Sequence, residues 1–281
     1  MEQGSTEWHE LRRRSIGASD APVIMRTSPW KTPYTLWQEK MGLSPGQTVN
    51  RAMERGIAME KEARLKLSLM LELQLRPCVL QHDTDSWMIA SMDAMSFDKK
   101  IAAEIKCPGE TDHQIAMGGQ VPQKYYAQLQ HQMVVAELEE IYYWSWSGFH
   151  GALVKIIRDD KYIRKMIELE RAFVLCMENF EPPEMDGEKD YIQRGDETWN
   201  RLSGEWNFLT KQLKALGEEE KRLRQRLVDA CDGRNVRGCG IAVQRTIRRG
   251  TVDYHAIPEL ESVDLEQYRK APIESWRISN R

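Results

Sequence analysis

The sequence has few cysteines, no long apolar run and no excess of charge of either sign. Five cysteines are scattered through 281 residues with no C-x-x-C pair. An odd, dispersed set does not build a disulfide framework, and it lacks the spacing of common zinc and iron–sulfur sites. No stretch approaches the ~18 consecutive apolar residues of a membrane-spanning helix. The opening segment Met1–Trp8 has no basic region followed by an apolar one, so a secretory signal is not expected and the cytoplasm is the expected compartment. Basic and acidic residues number 40 and 43, a net charge of −3. That is not the strongly basic balance of many nucleic-acid-binding domains, although it allows positive charge confined to one channel. No internal repeat or low-complexity tract is evident. The 41% hydrophobic content is ample for one sizeable core, with room for a second domain.

The pattern of apolar residues predicts a short helix over Trp8–Arg14, a Gly-Ala-Ser-Asp segment in which Ser19 or Asp20 caps a turn or helix, and a helix near Tyr34–Lys40. Residues 50–74 read as a long helix with a stripe of Met53, Ile57, Ala63, Leu67 and Leu71. Residues 87–95 and 101–106 read as strands joined by a hairpin at Phe97–Lys100. A helix over 122–136, strands at Ile141–Trp146 and Ala152–Ile157, and a helix over 159–179 complete an α/β core. The breaker-rich stretch from Glu181 to Glu188 suggests a linker, giving a core of 1–185 and an extension of 186–281. In the extension Trp199, Leu202, Trp206, Leu209, Leu213, Leu216, Leu223, Leu227 and Ala230 follow alternating three- and four-residue spacing, interrupted by Glu220. This seam suits an amphipathic helix docked on its own chain or an intermolecular coiled coil. Ile241–Thr246 and Thr251–Tyr254, flanking Arg248–Gly250, read as a terminal hairpin.

The chemistry concentrates in Ser91-Met-Asp93-Ala and Ala103-Glu104-Ile105-Lys106-Cys-Pro. Glu104 and Lys106 are two apart on one strand and so project from the same face. The hairpin brings Asp93 to them. Two carboxylates can hold a hard cation through oxygen, and a lysine beside them can orient water or stabilise charge on a phosphate. Acid and base alternate on many exposed strands, but this segment is apolar and central, where charges need partners. Glu60 in the upstream helix and Gln128 in the downstream one are further polar candidates. His113 and His131 form no catalytic constellation. Of the nine tryptophans, Trp30 in its Ser-Pro-Trp-Lys loop is the candidate for a DNA contact.

In order along the chain stand Trp8-His-Glu-Leu-Arg12, Ile16-Gly-Ala-Ser19-Asp20, Arg55-Gly56 with Glu60, Ser91-Met-Asp93-Ala, Glu104-Ile-Lys106-Cys-Pro and Tyr125-Tyr-Ala-Gln128-Leu-Gln130. This ordered set resembles the YqaJ-like viral recombinase family, the phage lambda exonuclease family of the PD-(D/E)xK nuclease superfamily. Met92 stands where the superfamily name writes proline. The tail from Thr251 to Ile278 also looks like that of many YqaJ-type proteins.

The resemblance implies a restriction-endonuclease-like core, a central mixed sheet flanked by helices, with a helical and hairpin C-terminal extension. It implies a magnesium-dependent exonuclease that digests linear double-stranded DNA 5′ to 3′ and leaves 3′ tails for phage-type recombination. Asp93, Glu104, the Ile105 carbonyl and Glu60 would belong to the metal site, with two magnesium ions and manganese as a substitute. Lys106 would position the attacking water, Gln128 would hold the nucleophile or its shell, and Arg12, Ser19 and Ser91 would bind a 5′-phosphate. Further implications are a homotrimer, a single-strand annealing partner, no membrane, and a cytoplasmic location as a phage or prophage protein. The alternatives are an endonuclease or flap nuclease on the same fold, and an inactive DNA-end-binding protein.

Overall fold

The structure, a computed structural model, describes residues 5–45 and 51–247. The chain divides into two compact units, Met1–Ile192 and Gln193–Arg281. The first contains helices α1 (Thr6–Arg14), α2 (Ala21–Ile24), α3 (Pro33–Lys40) and α4 (Arg51–Leu71) in its first third. Strand β1 (Ile16–Gly17) lies between α1 and α2, and β2 (Leu75–Gln81), β3 (Met88–Ser96) and β4 (Ala102–Lys106) follow. Then come α5 (Glu110–Met117), α6 (Gln123–Val135), β5 (Glu140–Trp146), β6 (Gly151–Ile157) and α7 (Asp160–Glu178).

The six strands form one mixed sheet. On one edge β3 pairs antiparallel with β2 along its length. Met95 pairs with Arg76 of β2 and with Ala102 of β4, and Ile89 pairs with Gln81 of β2 and with Gly17 of β1. A strand has only two edges, so β1 and β4 share the edge opposite β2. β1 takes Met88 and Ile89, and β4 takes Ala94 and Met95. Between these two short pairings the β3 edge is open. β4 continues parallel to β5, and β5 antiparallel to β6.

A bulge falls at the same place. Arg76 faces Met95 and Cys78 faces Met92, so two residues of β3, Asp93 and Ala94, oppose the single residue Pro77. Proline has no N–H to give a ladder, and a bulge is one of the few places where a sheet tolerates it. The extra residue resets the alternation. Met88, Ala90, Met92 and Met95 join one core cluster, while Ala94 joins another.

The first cluster lies under α6, with Leu129 and Met133 fully buried, and extends to Ile163 and Met166 of α7. α7 buries Ile163, Met166, Glu170 and Phe173, the spacing of one helical face. The second cluster lies under α4, where Ala63 and Leu67 meet Ala103, Ile105 and Trp144. Trp144 donates its Nε1–H to the Ala63 carbonyl at 3.0 Å. A Cβ on Gly151 would stand 1.9 Å from the Trp144 ring, so only glycine lets the indole lie across β6.

Several expectations change. Ile57 belongs to the expected inward stripe of α4 but is 65% exposed, because the buried face of this helix is set further along, by Ala63 and Leu67. The Met53 side chain lies outside the described residues. β1, β2 and α5 went unassigned in the sequence. Pro77 hides β2 from a strand reading, β1 has only two residues, and α5 is short with no apolar stripe. Asp20 sits at the N-cap of α2 without capping it through its side chain.

The second unit contains α8 (Glu197–Asp229), β7 (Val236–Gly238) and β8 (Ile241–Val243). Asp196 caps α8 by accepting the Trp199 N–H at 3.1 Å. Leu216, Leu223 and Leu227 of the seam share a groove with Ile241 and Val243. The described hairpin lies upstream of the expected one. β8 pairs with β7, upstream of it, because Cys239 and Gly240 both take positive φ and close a tight two-residue turn. Thr251–Tyr254 and the YqaJ-like tail lie outside the described residues.

One buried ion pair ties α6 to α7. His131 and Glu170 are both fully buried, with Nδ1 2.8 Å from Oε1, and His131 Nε2 lies 3.1 Å from the Ile89 carbonyl. This is a structural role inside the core. Burial alone would push the His131 pKa below its ordinary 6.5, but the Glu170 carboxylate outweighs it and holds the value above. The folded state therefore binds this proton more tightly than the unfolded chain. The stabilisation is complete below about pH 6.5 and is lost as pH rises through the folded value. Denaturant titrations should show the wild type losing more stability than Glu170→Gln as pH is raised from 6.5, and Glu170→Ala should cost about 3–5 kcal/mol. Parallel pH profiles for wild type and Glu170→Gln would show that His131 is neutral throughout.

Candidate active site

The open edge of β3 forms the floor of a cleft of about 670 Å³. Asp93, Glu104, Ile105 and Lys106 line it together with Glu60 and Gln128. Arg12, Ser19 and Ser91 line it as well, so every site residue named from the sequence reaches one cavity.

The parted strands explain the local geometry. Pairing of β3 with β4 runs only to Ala94 and Ala103. One step further the Asp93 side chain replaces main chain, its Oδ2 accepting the Ile105 N–H at 2.9 Å. The Asp93 carbonyl turns to the other layer and accepts from Arg64 Nε of α4 at 2.5 Å. In an extended strand the N–H and C=O of one residue point to the same edge, so the Ile105 carbonyl also faces the gap.

Glu104 is 2% exposed. Its Oε1 accepts from Lys106 Nζ at 2.5 Å and from Gln128 Nε2 at 2.6 Å, and its Oε2 accepts from Gln132 Nε2 at 2.5 Å. Charge-assisted bonds of this kind fix the carboxylate plane. Asp93 is less well served. Burial, and then the neighbouring Glu104 charge, push its pKa well above the usual carboxylate value. Burial works against the Lys106 ammonium, but Glu104 and Asp93 outweigh it and hold that pKa above its ordinary value. Lys106 is therefore a fixed cation and a donor.

Glu60 is ion-paired with Arg64 four residues on. Among the described residues no group of three or more His, Cys, Asp or Glu side chains converges on a point. The structure thus brings Asp93 and Glu104 together and does not bring Glu60 into a carboxylate trio with them. Glu60, expected at the metal site, lines the same cleft, pairs with Arg64, and adds its charge to those that raise the Asp93 pKa. The residues fit a hard divalent cation in chemistry. Three carboxylates stand against the two cations Lys106 and Arg64, and the Asp93 carboxyl is the group whose ionisation is opposed. Asp93, Glu104 and the Ile105 carbonyl are oxygen donors of the kind magnesium takes, with water completing the shell.

A second group of side chains is organised around Trp8. The Arg12 guanidinium lies over the Trp8 ring, 5.1 Å from its centroid, and donates to Ser19 Oγ at 2.7 Å. Trp8 Nε1 donates to Ser91 Oγ at 3.2 Å. One indole thus connects all three residues. Behind them Lys40 Nζ donates to the carbonyls of Arg12 and Ser15, both at 2.7 Å, and to Asp20 Oδ2 at 2.5 Å. Burial works against the Asp20 charge, but Lys40 and then Arg12 hold its pKa below the usual value.

Sequence reasoning missed Gln132, Arg64, Trp8 and the Asp20–Lys40 pair. Gln132 stands four after Gln128 and Arg64 four after Glu60, spacings that place each pair on one helix face, so two of these carried a signal. Nothing local links Trp8 to Ser91 or Asp20 to Lys40.

Residues 7–139 match the YqaJ-like viral recombinase domain family. The chain is 28% identical over 178 residues to the uncharacterised protein YqaJ of Bacillus subtilis strain 168, a match covering 61% of this chain and 56% of that relative. The matched stretch thus spans just over half of the relative's length. Among solved structures the chain resembles the alkaline exonuclease LHK-Exo of Laribacter hongkongensis, with 24% identity, 63% of this chain, 94% of that chain and a TM-score of 0.55. The same enzyme in complex with dAMP gives a TM-score of 0.56 at 24% identity and the same coverage. These likenesses show the fold: a mixed sheet flanked by helices, arranged as in an alkaline exonuclease.

The Asp93 environment has a measurable consequence in metal-free protein. An acid whose folded pKa is raised destabilises the folded state as pH climbs from the unfolded value through the folded one, and the full penalty holds above. Asp93→Asn keeps an acceptor for the Ile105 N–H and removes the charge beside Glu104. In EDTA at neutral pH this variant should melt above wild type, by roughly 2–4 °C for each kcal/mol relieved. A lower melting temperature would mean that Asp93 is already compensated.

Proposed function

We propose that this chain is a magnesium-dependent exodeoxyribonuclease that digests linear double-stranded DNA from 5′ ends and leaves 3′ single-stranded tails for recombination. The observation that carries the reading is the sharing of one cleft by the buried Asp93–Glu104–Lys106 cluster and the Arg12–Ser19–Ser91 group. A phosphodiester cut needs the first, and repeated cutting from a phosphorylated end uses the second. The likeness to an alkaline exonuclease solved with a mononucleotide supports the same reading.

Asp93, Glu104 and the Ile105 carbonyl would hold the magnesium, which when bound polarises the phosphate and activates water. Gln128 and Gln132 keep Glu104 in one orientation. Lys106 stays protonated, so it acts as a donor that orients the attacking water and stabilises charge developing on the phosphate oxygens. Arg12 is pre-set by Ser19 and by stacking on Trp8. Its guanidinium and the two serine hydroxyls can surround a terminal phosphate with charge-assisted hydrogen bonds. Each cut that releases a 5′-mononucleotide regenerates that phosphate, and the pocket registers the new end.

Assembly as a homotrimer, cooperation with a single-strand annealing protein, and a cytoplasmic location in a phage-carrying host belong to the same proposal. Among the described residues no helix is long and apolar enough to cross a membrane. Endonuclease chemistry on the same fold predicts cutting of closed circular DNA, and flap-nuclease chemistry predicts cutting at a branched junction in preference to a plain duplex end. An inactive end-binding protein predicts no turnover.

Asp93→Ala or Glu104→Ala should abolish magnesium-dependent release of mononucleotides from linear duplex. Magnesium or manganese should raise the melting temperature of wild type and fail to do so for either variant. Near wild-type turnover in either variant would remove the active-site assignment. A thermal shift that survives in both would move the metal elsewhere.

The phosphate pocket is tested on paired substrates. Linear duplex with 5′-phosphate should be digested faster than the same duplex with 5′-hydroxyl. Arg12→Ala should erase most of the difference by slowing the phosphorylated substrate. Equal slowing of both would make Arg12 a general backbone contact. Equal wild-type rates on both ends would exclude the pocket while leaving the nuclease reading in place.

A further inference from the structure

Trp30 is 60% exposed, a large apolar surface for a residue lining the same cleft as the carboxylates. Its loop is well anchored. Thr27 and Ser28 donate their N–H groups to the Pro22 carbonyl at 2.8 and 2.9 Å, and Ser28 Oγ accepts the Trp30 N–H at 3.3 Å. Lys31, next in the chain, is fixed by Glu39 at 2.6 Å. The indole is therefore presented on a built support.

On one side of the ring stands Lys124, its ammonium 5.0 Å from the Trp30 centroid and 5.4 Å from that of Tyr125. Asp112 orients Lys124 at 2.7 Å. Tyr125 stacks on the buried Tyr143 with centroids 5.8 Å apart, and Lys106 of the catalytic cluster lies 5.3 Å from its centroid. Aromatic rings and cations thus alternate from the exposed Trp30 through Lys124 and Tyr125 to Lys106. An alternation of stacking surfaces with ammonium groups is what a single strand of nucleic acid requires, because every base offers a π-face and every linkage a negative charge. A small anion would have no use for the open indole.

We propose that Trp30 is a stacking platform for an unpaired nucleobase of the DNA strand, with Lys124 as the clamp for the adjoining phosphate. The proposal rests on the nuclease reading for its substrate and adds a base-contacting subsite beside the chemistry. Stacking on one aromatic face is tolerant of sequence, so the subsite recognises unpaired bases as a class.

The test is binding of full-length protein, in EDTA, to a labelled oligothymidylate and to an abasic oligomer of equal length and charge. Wild type should prefer the oligothymidylate. Trp30→Ala should weaken that binding by about ten-fold, the loss of a typical base–aromatic stack, and leave the abasic oligomer unaffected. Trp30→Phe should restore most of the preference, and Lys124→Gln should weaken both ligands alike. Equal affinity of wild type for the two oligomers, or a Trp30→Ala variant that loses both equally or neither, would overturn the subsite. Mononucleotide release from linear duplex in magnesium is measured alongside. Release without any effect of Trp30 sinks the subsite and leaves the nuclease, whereas a Trp30-dependent base preference without release sinks the nuclease reading and leaves the subsite.

Discussion

The arrangement of the cleft depends on where β3 stops pairing with β4. Two residues of β3 stand against Pro77, and the strand's other edge is shared by β1 and β4 with a gap between. An unpaired strand edge in a sheet interior would leave main-chain groups without partners, at a cost comparable to a lost hydrogen bond for each. Here polar side chains take over. Asp93 accepts the N–H of Ile105, Arg64 donates to the carbonyl of Asp93, and Gln132 donates to the carbonyl of Ser91 at 3.3 Å. The side chains that satisfy the opening are the same ones that give it chemistry. A regular ladder at this point would hold the sheet together better and would leave Asp93 on a flat face.

The charges then follow from burial. Two carboxylates placed side by side away from water oppose each other's ionisation. The fold resolves this unevenly. Glu104 receives three donors from β4 and α6, while Asp93 receives one main-chain N–H and keeps a raised pKa. This imbalance is what the proposed divalent cation would relieve, by supplying positive charge beside Asp93. Glu60, paired with Arg64, is a weaker contributor, ranked below Glu104 among the charges that raise the Asp93 pKa.

How much of this was legible in the sequence varied with the distance over which each feature is fixed. The helices α1, α3, α4, α6 and α7 and the four longer strands after residue 86 announce themselves by periodicity, since each buries one face against one layer. Asp93, Glu104 and Lys106 were legible because strand alternation and a short hairpin bring them together within fourteen residues of chain. The bulge was not, because Pro77 argues against a strand unless its partner is known. Gln132 was visible only as one polar residue in a buried helix, and the Trp8–Ser91 bond links positions 83 residues apart. The second unit shows the same limit. The β7–β8 hairpin went unassigned because the Cys239–Gly240 turn depends on backbone conformation, which the alternating apolar pattern does not report.

Distance also explains how the two halves of the cleft are coupled. The carboxylates sit on the sheet, whose strands hold them rigidly, whereas Arg12 and Ser19 sit on α1 and the turn before α2. Three links join these supports. Trp8 of α1 reaches Ser91 on β3, two residues before Asp93. Lys40 of α3 binds the end of α1 and the turn at Asp20, and β1 runs from that turn into the sheet beside Met88 and Ile89. Each link crosses between elements that are otherwise separate in sequence, and the Lys40 link buries two charged side chains to do so. A pocket that only had to attract a phosphate could consist of exposed basic residues at no such cost. Fixing Arg12 from behind through Lys40, and Ser91 through the strand that also bears Asp93, sets the proposed phosphate-reading group at a constant distance from the carboxylates. On the exonuclease reading proposed above, that distance would have to stay fixed from one cut to the next.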